Sequence, residues 1–232
     1  MDIIPAILPK NYEDLKNKIA LVRGIVPVAQ IDICDGIFVK NISWPFEVGV
    51  PELDEHFRRI INEQEGLPFW EDIDFELDLM VSDAVENFDI YTKLGPKRII
   101  FHLEAVGNVE EFKNFMEGID MYVRDSIQIG LAVNADTEIS KIFPLVNSVD
   151  FVQCMGISEI GFQGQEFDER VLENIKKLKE KFSILIISVD GGVNLENAES
   201  LVSAGANRLV IGSALFNTDD IIGAVESFKN IN

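Results

Sequence analysis

Residues 184–212 read ILIISVDGGVNLENAESLVSAGANRLVIG. Two short apolar runs, at 184–190 and 207–212, enclose a segment with helical character at 194–204. A glycine pair follows the first run, and a single glycine closes the second. The order of strand, turn, helix and strand is typical of a βαβ unit, the building block of parallel sheets.

The same alternation extends along the whole chain of 232 residues. Strands are predicted near 2–8, 28–34, 73–81, 97–103, 127–133, 149–155, 184–190 and 207–212, each paired with a helical segment. The helical segments are clearest at 11–23, 83–93, 109–123, 168–182, 194–204 and 218–229. Eight βα pairs in a chain of this length favour a closed (β/α)8 barrel over an open, doubly wound sheet. No linker or break in composition divides the chain, so we expect a single TIM-barrel domain over residues 1–232.

Charge and cysteine content restrict the possible partners and the compartment. The formal net charge is −20 at pH 7, and nucleic acids or anionic membranes would repel such a chain, so neither is expected as a partner. Cys34 and Cys154 are too few for a disulfide framework. Neither a signal peptide nor a membrane span is predicted, and the expected location is cytoplasmic.

In three of the predicted strands, polar and apolar side chains occupy alternate positions. Because side chains of a barrel strand alternate between the interior and the helix layer, Gln30, Asp32, Asp78 and Asp190 are predicted to point inward. They stand near the C-terminal ends of their strands, where barrel active sites lie. Buried carboxylates repel one another and need a cation, shared protons or strong hydrogen bonds. The alternative that some of them cap turns or helices stays open.

Two further residues are candidates for contact with a substrate. Met80 shares the inward parity of Asp78, and His102 lies at the same level of the fourth predicted strand. A lone histidine in a strand is more often a satisfied core residue than a catalytic one, so both interpretations of His102 are carried forward.

Three turns late in the chain have the composition of anion-binding sites. They follow the sixth, seventh and eighth predicted strands, and their candidate residues are Gly161, Phe162, Gly164, Gln165, Gly191, Gly192, Gly212 and Ser213. Glycine lets the backbone approach an anion closely, and a following helix presents free N–H groups. None of these turns contains lysine or arginine, so a phosphate group would be held by backbone dipoles.

Six segments together resemble the ribulose-phosphate 3-epimerase family. They are PAIL at 5–8, DICDGIFVKN at 32–41, DLMV at 78–81, MGISEIGFQGQEF at 155–167, VDGGVN at 189–194 and GSALF at 212–216. Their order and spacing agree with the family's, and the resemblance extends over nearly the whole chain. It implies a barrel that binds a small sugar phosphate, uses Asp32 and Asp190 as a pair of proton-transfer groups, and forms a homo-oligomer.

The resemblance also implies a divalent metal, held in the family by two histidines and the two aspartates. Here Gln30 and Asp78 stand at the histidine positions, which gives the set Gln30, Asp32, Asp78 and Asp190. Oxygen ligands suit Mg²⁺ or Mn²⁺ better than Zn²⁺ or Fe²⁺, which prefer softer or imidazole donors. A site that works without any metal is the alternative.

Other positions depart from the family as well. Ala6 stands where the family has a serine, and Cys34 where it has a methionine near the substrate. The family's asparagine-proline-glycine-phenylalanine-glycine-glycine is replaced by Glu159-Ile160-Gly161-Phe162-Gln163-Gly164, which puts the course of that loop in question.

The resemblance implies an isomerase of carbohydrate metabolism and the pentose phosphate pathway. We expect it to interconvert D-ribulose 5-phosphate and D-xylulose 5-phosphate, or a close analogue, through an enediolate. The first alternative is a catalytically silent barrel that binds a phosphosugar in a regulatory role, because the metal-ligand positions are changed. A third interpretation, a decarboxylase or aldolase, is weak because Cys34 stands where those relatives carry a lysine.

Overall fold

The computed structural model describes residues 1–50 and 52–231 and shows a closed barrel of eight parallel strands. The strands are β1 (Asp2–Ile7), β2 (Val28–Cys34), β3 (Asp74–Met80), β4 (Arg98–His102), β5 (Gln128–Val133), β6 (Phe151–Met155), β7 (Ile186–Asp190) and β8 (Arg208–Ile211). Each strand pairs with the next, and β8 pairs with β1. The predicted (β/α)8 fold is confirmed. The single domain over 1–232 stays a prediction, and positions 51 and 232 lie outside the described residues.

Helices follow most strands and form the outer layer. They are α1 (Tyr12–Val22), α2 (Glu55–Ile61), α3 (Phe88–Thr92), α4 (Val109–Gly118), α5 (Met121–Ser126), α6 (Arg170–Lys181), α7 (Leu195–Ala204), α8 (Ser213–Phe216) and α9 (Ile221–Lys229), with a 3₁₀ helix at Ile139–Ser148. Over the part of the chain that the structure describes, no helix is long and apolar enough to cross a membrane.

Two predicted helices differ from the structure. The segment 109–123 is two helices, because the chain turns after Gly118 and the Asp120 side chain starts α5 by accepting a hydrogen bond from the Tyr122 N–H. The segment 83–93 is helical only over its last part, Phe88–Thr92, and turns precede it. The 3₁₀ helix was not predicted, and it contains Pro144, which lacks the N–H that a regular helix interior needs.

Alternation along the strands sorts side chains as the sequence predicts. The outward-facing residues of β2, β3 and β7 are all buried in the layer between barrel and helices: Ile31, Ile33, Leu77, Leu79, Ile187 and Val189. Helix α6 buries Val171, Ile175 and Leu178 against the same layer. Because these side chains pack against the helices, the alternate side chains of the same strands point into the barrel interior.

The interior is filled beneath the candidate site. Glu76 on β3 accepts a hydrogen bond from Arg98 Nε on β4 at 2.5 Å, and the Arg208 guanidinium lies 4.7 Å from the centre of the Phe151 ring. A Cβ atom at Gly130 would lie 2.4 Å from that ring, so the glycine makes room for it. Side-chain layers of this kind make the barrel a packed core, and a ligand at the candidate site has to lie above them.

Candidate active site

Three carboxylates converge above the interior layer, at or near the C-terminal ends of their strands. Asp32, Asp78 and Asp190 come from β2, β3 and β7, and all three are buried. Each offers an oxygen within 4.8 Å of an oxygen of the others. The inward parity predicted for them therefore brings them to one point.

Gln30 joins two of these carboxylates. Its amide Nε2 donates to Asp32 Oδ1 at 2.8 Å and to Asp190 Oδ2 at 2.7 Å. The side chain is fully buried, and its Oε1 has no hydrogen-bond partner among the described residues. Gln30 thus fixes the spacing of Asp32 and Asp190 with its nitrogen.

The third carboxylate has a different set of partners. His102 Nε2 lies 2.8 Å from Asp78 Oδ1, and both side chains are completely buried. Gln153 Nε2 on β6 lies 3.3 Å from Asp78 Oδ2 and 3.4 Å from Asp190 Oδ2. Gln153 was not predicted as a site residue. It is the one amide side chain in the otherwise weakly polar strand sequence FVQCM, and this isolated polar residue could have indicated an inward-facing position.

Burial and mutual repulsion shift the acidity of this cluster. Burial, with the charges of Asp190 and Asp78, raises the pKa of Asp32 well above its usual value, although the Gln30 hydrogen bond opposes the shift. Burial and the charge of Asp78 raise the pKa of Asp190 to about 7. The cluster therefore holds bound protons near neutral pH.

Two opposing effects act on the pKa of His102. Burial alone would lower the pKa of its imidazole, but the adjacent Asp78 carboxylate outweighs it and raises the pKa above the usual value. A histidine in this position favours its charged form beside Asp78 and compensates part of the negative charge of the cluster.

The cluster fits a hard divalent cation. Three convergent carboxylates supply the charge and the oxygen atoms, and the unpartnered Oε1 of Gln30 is a fourth oxygen next to them. For that oxygen to face a cation, the Gln30 amide has to turn over, since its nitrogen now faces Asp32 and Asp190.

One cleft lies directly above the carboxylates. Its empty volume is about 500 Å³, measured out to the open mouth. The predicted residues that border it are Asp32, Met80, Gly161, Phe162, Gly164, Gln165, Asp190, Gly191, Gly192, Gly212 and Ser213. Gln30, Asp78 and His102 do not border it and lie behind this wall. The contact of His102 is with Asp78, so the structure places it as a neighbour of the cluster and away from the cleft surface.

The turn after β7 depends on its two glycines. Gly191 and Gly192 have φ angles of +95° and +67°, which other residues rarely adopt. A Cβ atom at Gly192 would also lie 2.9 Å from the Phe167 Cα. The backbone of this turn can therefore approach the cleft and the preceding loop closely.

The loops after β2 and β6 contact each other beside the cleft. Lys40 Nζ lies 2.7 Å from Glu159 Oε1, and Asn41 Nδ2 donates to the Gly161 carbonyl oxygen at 2.6 Å. These contacts tie the loop after β2 to the segment 159–164, of which residues 161–164 border the cleft.

Comparison with known proteins adds an independent result. The sequence profile described as "Ribulose-phosphate 3 epimerase family" matches residues 2–216. A ribulose-phosphate 3-epimerase of Bacillus subtilis (strain 168) is 29% identical over 233 residues, covering 98% of this chain and 97% of the relative. A cytoplasmic isoform from Oryza sativa subsp. japonica is 28% identical over 221 residues, covering 92% of this chain and 86% of the relative.

Solved structures agree on the fold. A 3-hexulose-6-phosphate synthase from Salmonella typhimurium superposes with a TM-score of 0.66 at 12% identity, covering all of this chain (100%) and 98% of the other. At so low an identity the likeness concerns the barrel alone.

Proposed function

Because the chain belongs to the ribulose-phosphate 3-epimerase family, we propose that it is an isomerase that inverts carbon 3 of a ketopentose phosphate. The substrates we propose are D-ribulose 5-phosphate and D-xylulose 5-phosphate. The observation that carries the proposal is the Gln30 amide bridge, which holds the buried carboxylates of β2 and β7 at the floor of one cleft.

The proposed reaction needs one base and one acid on the two faces of carbon 3. One carboxylate takes the proton from carbon 3, and the electrons of that bond form a double bond to carbon 2 while the carbonyl oxygen becomes negative. The other carboxyl group then delivers its proton to the opposite face of carbon 3, and the carbonyl re-forms. Asp32 and Asp190 are the groups we propose for these roles, and the reverse reaction exchanges them.

The acidity of the cluster supports this division of roles. The reaction requires one of the two groups ionised and the other protonated at the same time. Burial and repulsion raise the pKa of both carboxyls, that of Asp190 to about 7. A pair that shares a proton near neutral pH is therefore in the state that the chemistry needs.

We propose that the phosphate group is held by the turns after β6, β7 and β8. The residues concerned are Gly161, Phe162, Gly164, Gln165, Gly191, Gly192, Gly212 and Ser213, all of which border the cleft. Met80 would pack against the sugar, and His102 would act on it only through Asp78. Backbone N–H groups can bind an anion without a cationic side chain, which suits a chain of such negative net charge.

The residues we propose for a divalent cation are Asp32, Asp78 and Asp190, with Gln30 supplying its amide oxygen. Such an ion would polarise the carbonyl at carbon 2 and stabilise the negative charge that develops there. We favour Mg²⁺ or Mn²⁺ over Zn²⁺ or Fe²⁺, because the ligand set contains only oxygen atoms.

We further propose that the protein works in the cytoplasm, in the pentose phosphate pathway, as a homo-oligomer. The name of the Oryza sativa relative, a cytoplasmic isoform, supports the compartment. The family resemblance supports the pathway and the oligomer.

The proposal is tested by incubating the protein with D-ribulose 5-phosphate in D₂O, with and without Mg²⁺ or Mn²⁺, and following deuterium at carbon 3 by NMR. We expect exchange that Asp190→Asn reduces by at least about 1000-fold, because one of the two proton-transfer groups is lost. Asp74→Asn is the matched control, since Asp74 is an exposed carboxylate at the opposite end of the barrel. Binding of the sugar phosphate without any exchange would favour the catalytically silent barrel instead.

A further inference from the structure

Gln163 is a polar residue at the mouth of the cleft that the proposed reaction does not use. It lies in the loop after β6, and its Nε2 donates to the Ala6 carbonyl oxygen on β1 at 2.9 Å. Strands β6 and β1 are separated by β7 and β8 in the barrel. The side chain therefore links the loop after β6 to strand β1, and it borders the cleft.

The amide of Gln163 packs directly onto the turn after β8. A Cβ atom at Gly212 would lie 2.7 Å from Gln163 Nε2 and 3.1 Å from its Cδ. No larger residue fits at position 212 while the glutamine stays in place. The amide nitrogen is thus held beside the Gly212–Ser213 turn, which is one of the turns proposed for the phosphate group.

The negative charge of the cleft means that an additional N–H donor would strengthen the binding of an anion. None of the described residues that border it is lysine or arginine, while Asp32 and Asp190 form part of its floor. An anion in this cleft depends on neutral donors alone. The Gln163 amide has two N–H bonds, of which one is directed to Ala6, and within the described chain the other has no protein acceptor.

From this placement we infer that Gln163 contacts the phosphate group of the substrate and helps to select phosphorylated over unphosphorylated sugars. The inference rests on the proposed function, because it assumes a sugar phosphate in this cleft. Two departures from the family pattern meet at this contact. Ala6 stands where the family has a serine and Gln163 where it has a glycine, and the Gln163 amide donates to the Ala6 carbonyl oxygen.

Two variants and one control test this role. Gln163→Ala removes the donor, and Gln163→Glu replaces it with a carboxylate of nearly the same shape. Gln128→Glu makes the same chemical change at an exposed position on the first residue of β5, at the other end of the barrel. Melting temperatures of all three show whether each variant folds, and Gln163 is an exposed loop residue whose replacement should leave the core intact.

The measurements are kcat and KM for D-ribulose 5-phosphate, and the Kd of inorganic phosphate by titration. We expect Gln163→Ala to raise both KM and Kd by about 3- to 10-fold, the effect of one hydrogen bond, while kcat changes less than about 3-fold. Gln163→Glu should raise them by at least about 30-fold through repulsion of the anion. Gln128→Glu should match the parent protein.

An unchanged or lower Kd of phosphate in Gln163→Ala would overturn the inference, because the side chain would then be neutral or would block the site. This result is separable from failure of the proposed function. If the parent protein exchanges carbon 3 deuterium but Gln163→Ala binds phosphate normally, only the role of Gln163 is wrong. If the parent protein neither exchanges nor binds phosphate, the proposed function is wrong and this inference falls with it.

Discussion

Asp190 shows how a single side chain connects the sequence to a measurable property. Parity along the strand predicted that it points inward, together with Asp32 and Asp78, and the structure brings the three together. The sequence predicted that these carboxylates share protons or bind a cation. It did not give the pKa of about 7 for Asp190, because the burial and the charge of Asp78 that cause it depend on chain segments distant in sequence. The contacts of Gln153 and Gln163 escaped prediction for the same reason, since their partners lie on other strands.

The raised pKa of Asp190 predicts how a divalent cation will act on stability. Below about pH 7 the folded protein keeps a proton on this group that a cation has to displace, so binding should weaken as pH falls. We expect the gain in Tm on adding Mg²⁺ or Mn²⁺ to be larger at pH 8 than at pH 6, as measured by calorimetry. Asp78→Asn should reduce the gain at both values. Equal gains at both pH values in the parent protein would contradict this account.

At the scale of elements, local capping signals decide where helices begin and end. The segment 109–123 has continuous helical periodicity, and only the Asp120 cap divides it, so periodicity alone joined α4 and α5. Helix α7 was predicted closely, because Asn194 forms a capping box with Asn197 and Gly205 ends the helix at a φ of +119°. Where capping residues and helical periodicity agree, the sequence predicts the helix boundaries. Where they disagree, the capping residue sets the boundary.

The α7 cap also predicts a stability effect. Asn194→Ala removes the acceptor for the Glu196 and Asn197 N–H groups, and it should lower the free energy of unfolding by about 1 kcal/mol. Urea denaturation followed by circular dichroism measures it. Asn230→Ala is the matched control, because the hydrogen bonds that Asn230 makes to other described residues at the end of α9 come from its backbone N–H. If the two variants unfold at the same urea concentration, the cap does not stabilise α7 as described.

At the scale of the whole molecule, closure of the barrel makes the cluster possible. The alternation of strands and helices could be predicted from the sequence throughout the chain. In the structure, the pairing of β8 with β1 closes the barrel and brings residues of β2 and β7 to one centre. Periodicity alone did not distinguish a barrel from an open sheet, and the number of βα pairs favoured the barrel.

The most direct test of two opposed proton-transfer groups is an early time course in D₂O. Starting from D-ribulose 5-phosphate, we predict that xylulose 5-phosphate carries deuterium at carbon 3 from the first turnover. The unreacted ribulose 5-phosphate should keep its hydrogen, because one group removes the proton and a different group delivers the solvent-derived one. Xylulose 5-phosphate that keeps the original hydrogen at carbon 3 would contradict the account, since a single group would then have removed the proton and returned the same proton to the other face.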